Sequence, residues 1–510
     1  MKDIIICILP KIQPDAPTVG PAVLKSHCEA NGFSASVVDL NIDIFHHLGK
    51  DYEHHWFAAD QVWYKLDKWL EFYPTIESRV EYWAKELISK NAKYIGLSIF
   101  SNYSALFAKF LGRKIKELCP EQKIIIGGAG TFNMQIGSDS SIKRQIADYA
   151  DHIVKGDGED SLISLLKNNL DHPGIDSGSH QVLDLDTILY PNYSDINWND
   201  YSIEQSPERI AYITGSRGCV RNCTFCDVAA MWPKYRFRSG KHIAGEIIEV
   251  RKNNNIEAFE FTDSLVNGSM KAFRDMCKTL ADYRKETGDK DWSWQSQFIA
   301  RSKTQMPPED FTLMKRGGAN MVSIGIESAS EAVRNHMQKG FTNQDMWYTF
   351  EQLKANNVKI GIMMLVGYPT ETKEDFQETL NMLDQLKERG FFEINPINGF
   401  KYMRRISFGP TMQLYSGTPI TAMAHDMGIR DDATDNWVYK NNNIRVRIVR
   451  LLQAYAKLEQ LNYDEKWWMI KRRNKNLMDE YENITGKKLP ENILEYNEEE
   501  EYDCVSVELI

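Results

Sequence analysis

Apolar and polar positions along the chain fall into two alternating series. Residues 3–9 (Asp-Ile-Ile-Ile-Cys-Ile-Leu) are almost continuously apolar, the pattern of a strand buried on both faces. Similar runs predict strands at 34–40, 94–100, 123–126 and 152–155. Helical periodicity fills 19–31, 104–118 and 159–169 between them. Strands alternating with helices predict an α/β fold, with a doubly wound parallel sheet over residues 1–170. Ligands of such sheets sit at the carboxyl ends of the strands. Those ends carry Ser98, the Gly127-Gly128-Ala129-Gly130 turn and the Gly156-Asp157-Gly158-Glu159 turn. Glycines there either admit a ligand to the backbone or simply make tight turns.

An aromatic-rich insertion at 44–75 interrupts this series, with Trp56, Trp63 and Trp69 at near-helical spacing. It reads as a helical patch packed on a neighbouring domain or as a cap over a substrate pocket. Residues 171–208 lack periodicity, carry His-Pro-Gly and Tyr-Pro-Asn, and read as a linker.

The second series predicts strands at 210–214, 257–262, 292–298, 320–326, 359–366 and 391–395. Helices are predicted at 240–254, 269–287, 308–316, 329–338, 343–356 and 373–389. Six βα repeats over 209–430 predict a partial (β/α)6 barrel of TIM type, whose chemistry belongs on the loops after the strands. Residues 431–510 turn polar and helical, with Trp437, Trp467 and Trp468. The run Glu498-Glu499-Glu500-Glu501-Tyr502-Asp503 reads as a solvated acidic tail.

Chemistry enters at Gly218-Cys219-Val220-Arg221-Asn222-Cys223-Thr224-Phe225-Cys226, directly after the first strand of the second series. Three of the eight cysteines stand there in the spacing C-x-x-x-C-x-x-C. Iron–sulfur clusters are held by thiolates, normally four, so three would leave one iron open to another ligand. Structural zinc wants four closed ligands, and no second Cys-x-x-Cys follows. Bridges within so short a loop would be strained. The remaining cysteines (Cys7, Cys28, Cys119, Cys277, Cys504) are scattered.

Composition narrows the classes. The apolar fraction of 42% supports sizeable cores, and 26% charged residues is ordinary for a soluble protein. A net charge of −10 and a pI of about 5.7 disfavour nucleic acid as a partner. The N-terminal apolar run is too short for a secretory signal, and no stretch approaches the ~18 apolar residues of a membrane span. A cytoplasmic protein with reduced cysteines and no membrane contact is expected.

The cysteine loop, with Phe225 before its third cysteine and a six-fold βα series behind it, resembles the radical S-adenosylmethionine (SAM) superfamily. Phe261-Thr262-Asp263-Ser264, Ile324-Gly325-Ile326-Glu327-Ser328 and Leu365-Val366-Gly367-Tyr368-Pro369-Thr370-Glu371-Thr372 look like that family's strand ends, in order. Residues 1–170 resemble the Rossmann-like, cobalamin-binding-type domain found upstream in one branch. Val37-Val38-Asp39-Leu40-Asn41 and the glycine turns carry that likeness. The Asp-x-His-x-x-Gly motif whose histidine ligates cobalt is absent. Asp43-Ile44-Phe45-His46-His47-Leu48-Gly49 has one residue too many and follows the second strand, not the first.

The resemblance implies that Cys219, Cys223 and Cys226 hold three irons of a [4Fe–4S] cluster and that SAM chelates the fourth. An electron from the cluster then cleaves SAM to a 5′-deoxyadenosyl radical, which takes hydrogen from an unactivated carbon. By position at strand ends, Phe225, Asp263, Gln297, Arg301, Glu327, Ser328 and Gly367 are expected around SAM, with Ser296 nearby. Glu327 is the leading carboxylate for the ammonium or sulfonium, and Arg301 is the partner of the SAM carboxylate. Ser98, Gly127, Gly128, Gly156 and Glu159 are the expected cobalamin contacts. Asn398, Tyr402, Arg404 and Arg405 are expected after the sixth strand, facing an anionic group of the substrate or forming a solvated basic turn. A small-molecule or peptide substrate and an electron donor such as flavodoxin or ferredoxin are implied. Cobalamin-dependent methylation of an unactivated carbon is the leading expectation. Cobalamin-independent or non-methylating rearrangement or cyclisation is an alternative. A tRNA methylthiotransferase-like enzyme, with Cys7, Cys28 and Cys119 on a second cluster, is another, and a non-catalytic redox or SAM sensor a third.

Overall fold

The computed structural model describes residues 2–57, 60–131, 146, 148–176, 178–204, 206, 208–430, 436–463, 467–490 and 492–501. Tyr502, Asp503 and Cys504 lie outside the described residues, as do the side chains of Trp467 and Trp468. Two compact units divide the chain: Met1–Thr214 with His242–Glu260, and Gly215–Lys241 with Phe261–Ile510. Among the described residues no helix is long and apolar enough to cross a membrane.

The first unit is built on β1 (Lys2–Ile8), β2 (Ala35–Asp39), β3 (Ala92–Ser98), β4 (Lys123–Gly127) and β5 (His152–Ile153), in the order β2-β1-β3-β4-β5. Every pairing is parallel. Side-chain alternation buries both faces. Ile5 and Cys7 join one core with Ile95, Leu97, Ile124 and Ile126, whereas Ile4 and Ile6 join another with Cys28, Tyr94 and Ile125. At the carboxyl edge one register row runs Asp39–Ile8–Ser98–Gly127.

The tryptophan stripe belongs to neither a neighbouring domain nor a cap. Parallel neighbours need a crossover, and here helices Leu40–Leu48 and Leu66–Ser89 connect β2 to β3. Trp56, Trp63 and Trp69 are fully buried in this unit's own sheet core. Trp56 meets Trp63 edge-on at 5.0 Å, and Trp69 packs on Phe110 at 5.4 Å. Burial of each indole contributes about 4–6 kcal/mol as an upper bound.

Residues 171–208 are not a free linker. Lys25 Nζ donates to Ser194 Oγ and Asp195 Oδ2, both at 2.6 Å, and Asp195 also accepts the Val37 N–H. Asp157 accepts Val182 N–H, and Tyr201 donates to Asp39 at 2.6 Å. The segment is irregular but tied down, by these side-chain bonds and by scattered backbone bonds such as Asp176 N–H to Ile153 O and Asn192 N–H to Ala22 O.

Two strands open the second series, β6 (Ile210–Ile213) and, after the small hairpin of β7 (Ser216–Arg217) and β8 (Arg236–Phe237), β9 (Ala258–Phe261). The second unit then contributes β10 (Ser293–Phe298), β11 (Ala319–Glu327), β12 (Lys359–Val366) and β13 (Met403–Thr411), parallel neighbours in that order. One face is apolar and buried (Val322, Ile324, Ile362, Phe408), while the other carries the in-register row Gln297–Ser323–Gly361–Arg405.

The sixth strand is β13, not 391–395. Phe391 is buried against Phe350 and Trp347, filling a gap between helices, and Ile394 makes only an isolated bridge to Lys401. The shift changes the chemistry expected there. Asn398 and Tyr402 precede the strand, and Arg404 and Arg405 start it. All four therefore lie at its amino end and not after its carboxyl end as expected, although Arg405 shares the polar-face row of Gln297 and Ser323.

The acidic run is not wholly solvated. Glu498 and Glu501 are buried. Glu498 takes a bidentate pair from Arg450 at 2.7 and 2.8 Å, and Glu501 accepts Tyr481 and Tyr496 hydroxyls. Arg450 also donates to Glu371 Oε2 at 3.0 Å. Arg450, Glu371 and Glu498 are 2, 4 and 3% exposed, so each charge depends on the others. Arg450→Met is expected to cost about 3–5 kcal/mol, because it strands two buried carboxylates. The midpoint of denaturant unfolding measures it.

Candidate active site: the three-cysteine loop

The loop is closed at its base by β7 and β8, which pair Ser216 with Phe237 and Arg217 with Arg236. Gly218 begins it at φ +85°, where a Cβ would lie 2.8 Å from the Lys234 carbonyl oxygen. Asp263 holds this base from below, accepting the Gly215 N–H at 2.7 Å and the Ser216 hydroxyl. Burial pushes the Asp263 carboxyl up to about 7. Its place is thus under the hairpin.

Thr224 pins the middle of the loop. Its N–H donates to Met337 O, its carbonyl accepts Ile420 N–H, and its hydroxyl lies 2.8 Å from Tyr368 Oη. Tyr368 also donates to His336 O. Phe225 packs into the apolar cluster of Met337, Tyr368, Leu414 and Trp437. Backbone dipoles converge on the sulfurs: Arg221 N–H donates to Cys219 Sγ at 3.4 Å, and Val228 N–H to Cys226. Burial raises the Cys223 thiol to about 11, opposed by Lys339.

Glu327 ends β11 at φ +65°, beside a register shift at Gly325. It pairs with Lys339 Nζ at 3.0 Å, and that ammonium lies 5.8 Å over the Phe225 ring. Among the expected SAM residues, Phe225 and Glu327 therefore converge through Lys339. Ser328 is fully buried in the following turn and gives its carbonyl to Arg334. Gly367, at φ +83°, makes room for Arg447, whose stem a Cβ would strike, while its N–H donates to Glu371. Arg301 spends its guanidinium on the Asn267 and Gly268 carbonyls. Burial and then Arg221 lower its basicity. Ser296 is buried on the apolar face and Gln297 is exposed on the polar one.

In the first unit Ser98 and Gly127 are register partners at the sheet's carboxyl edge. Gly128 approaches the Ile99 carbonyl, where a Cβ would lie 2.5 Å away, and Gly156 abuts the His180 backbone. These two glycines serve loop-to-loop contacts. Glu159 is buried in the first turn of helix Gly158–Leu166. His46 bonds to the Asp200 carbonyl.

Sequence reasoning missed Lys339, Thr224 and the hairpin role of Asp263. Lys339 sits in a turn 12 residues past Glu327, where no periodicity marks it. Gly340 behind it is at φ +65°, and a Cβ there would strike Arg221.

The donor set can be tested against one metal ion or a cluster. The only His/Cys/Asp/Glu triad among the described residues with ligand atoms within 4.8 Å of one another is His54, His55 and Asp60. The three cysteine sulfurs are therefore spread more widely than a single zinc ion, with ~2.3 Å Zn–S bonds, would hold them. Thiolates on separate irons suit that spread.

Fold and loop together define an α/β protein with a three-cysteine loop after the first strand of a βα series. Residues 213–383 match the Radical SAM superfamily. This stretch therefore carries a radical SAM domain, which implies a [4Fe–4S] cluster and SAM. Anaerobic magnesium-protoporphyrin IX monomethyl ester cyclase of Rubrivivax gelatinosus is 25% identical over 290 residues, covering 52% of this chain and 50% of that protein. The chain thus spans about half the length of this curated relative. The fold is similar to that of the cobalamin-dependent SAM radical enzyme OxsB with aqua-cobalamin and SAM bound. The TM-score is 0.64 at 14% identity, over 98% of this chain and 78% of that one. It is also similar to that of the radical SAM methyltransferase TsrM of Kitasatospora setae, solved with tryptophan and a SAM analogue. The TM-score is 0.61 at 14% identity, over 85% and 79%.

Because the folded Asp263 carboxyl is raised above its unfolded value of 3.8, the folded state holds the extra proton between about pH 4 and pH 7. Its contribution to stability is full below pH 4 and is lost as pH rises through 7. Asp263→Asn is expected to flatten that part of the stability–pH curve, read from thermal unfolding across the window.

Proposed function

We propose that this enzyme uses SAM and a cobalamin to methylate an unactivated carbon. The observation that carries this reading is the reach of the fold likeness. It covers 98% of the chain, so it takes in the five-stranded sheet of the first unit as well as the radical SAM domain. A carboxyl edge bearing Ser98 and Gly127 is where a parallel sheet receives a ligand. With no Asp-x-His-x-x-Gly motif in the chain, cobalamin would bind there without a histidine from that motif.

In this reading Cys219, Cys223 and Cys226 hold the cluster, which when bound supplies the electron for reductive cleavage of SAM. Thr224, Tyr368 and Phe225 hold the loop in place. Gln297 and Ser323 face the polar side of the sheet, where SAM and substrate would lie. Glu327 meets SAM only together with Lys339, as one ion pair.

The methylthiotransferase alternative needs a second three-cysteine cluster. Cys7 and Cys28 are buried in separate cores on opposite faces of the sheet, and Cys119 follows helix Ala105–Leu118. They do not come together, and the C-terminal region is helical.

Anaerobically purified protein is expected to bind hydroxocobalamin at one per chain, read from the corrinoid spectrum. Absence of binding would move the reading to cobalamin-independent chemistry. Cys223→Ala is expected to abolish the ~400 nm absorbance of thiolate-bound iron–sulfur centres; an unchanged spectrum would remove Cys223 as a ligand.

A further inference from the structure

We infer that Lys339 is a positioning residue for the cluster, a buried ammonium that makes it easier to reduce, with Glu327 setting how much of that charge the cysteines feel. The inference rests on the cluster reading and not on methylation or cobalamin.

The arrangement is built from several independent features. Lys339 Nζ is 3.0 Å from Glu327 Oε1 and 5.8 Å from the centroid of Phe225, the residue between Thr224 and Cys226. Both side chains of the pair are largely buried, at 12 and 13% exposure. Gly325 leaves the space they occupy: a Cβ there would collide with Glu327 Oε1 and lie 2.9 Å from Lys339 Nζ. Glu327 reaches the pair from a left-handed backbone, φ +65°, which a non-glycine residue adopts at a cost of about 1–3 kcal/mol. A pair that only closed a turn would not need a strained residue, a required glycine and a desolvated lysine together.

Burial would lower the basicity of Lys339, but Glu327 and then Cys223 outweigh it and hold it above the ordinary value, with Cys226 adding to them. The group therefore carries its charge beside two of the three thiols. Reduction adds one negative charge to a cluster that three thiolates already make anionic. A nearby cation stabilises the reduced form more than the oxidised one. A carboxylate at the same place does the reverse. Glu327 also acts directly on Cys223, raising its thiol after burial and the neighbouring cysteines have done so.

The test uses full-length protein reconstituted anaerobically with iron and sulfide, without SAM. Iron is counted, and the one-electron midpoint potential is read by EPR-monitored titration with dithionite and mediators. Lys339→Met is expected to load the cluster and to shift the reduction equilibrium about tenfold towards the oxidised form, 59 mV for one electron. Glu327→Gln is expected to shift it the opposite way, and Lys339→Arg to stay near the wild type. An unchanged potential in fully loaded Lys339→Met, or a shift of the same sign in both variants, would overturn the inference. If Lys339→Met loads no iron, the sign of the Glu327→Gln shift decides alone. Failure of the wild type to load iron would instead refute the cluster reading beneath it.

Discussion

Three thiolates within eight residues can serve one cluster only if the loop that carries them neither collapses nor swings. A free loop of this size would gain entropy by moving, and its sulfurs would take up single metal ions or oxidise in pairs. Here the closure is made by short-range contacts: the β7–β8 hairpin, Asp263 beneath it and the backbone bonds of Thr224 to Met337 and Ile420. Each of these tethers belongs to the segments that follow strands of the βα series. The sheet, its loops and the cysteine site are therefore one structural problem with one solution.

Buried charge is the second organising feature, and in the second unit it ties down the turns after β11 and β12. Arg450 joins Glu371 to Glu498, and Glu371 in turn accepts the Gly367 N–H. A segment at the far end of the described chain thereby steadies the turn after β12. Lys339 and Glu327 do the same after β11. Paired charges in low dielectric are costly to separate, which makes these turns rigid without adding apolar bulk beside a polar face.

Much of the fold was legible because parallel strands covered on both faces read as apolar runs, as β1, β3 and β4 do, while β11 and β12 show the alternation of strands with one apolar face. The sixth strand was not. β13 carries Arg404, Arg405 and Pro410 and stands at the edge of its sheet, where a proline is tolerated and a strand need not be apolar. Phe391 and Phe392 supplied a decoy from a helix-packing gap. The tryptophan stripe was visible, but its destination was not, since periodicity shows that a face is buried and not against what. The acidic run misled for a similar reason: Arg450, 48 residues before Glu498, leaves no local trace. The cysteine spacing stands out in the sequence, whereas Lys339 and Thr224 are tied to that loop by contacts that only the fold creates.

The proposed chemistry depends on Cys219, Cys223 and Cys226 holding a cluster with one iron left for SAM. Mössbauer spectroscopy of protein reconstituted with iron-57, before and after addition of SAM, tests it most directly. Four irons per chain are expected, one of which changes its isomer shift when SAM is added while three do not. Four equivalent irons indifferent to SAM, or a single metal ion per chain, would contradict it.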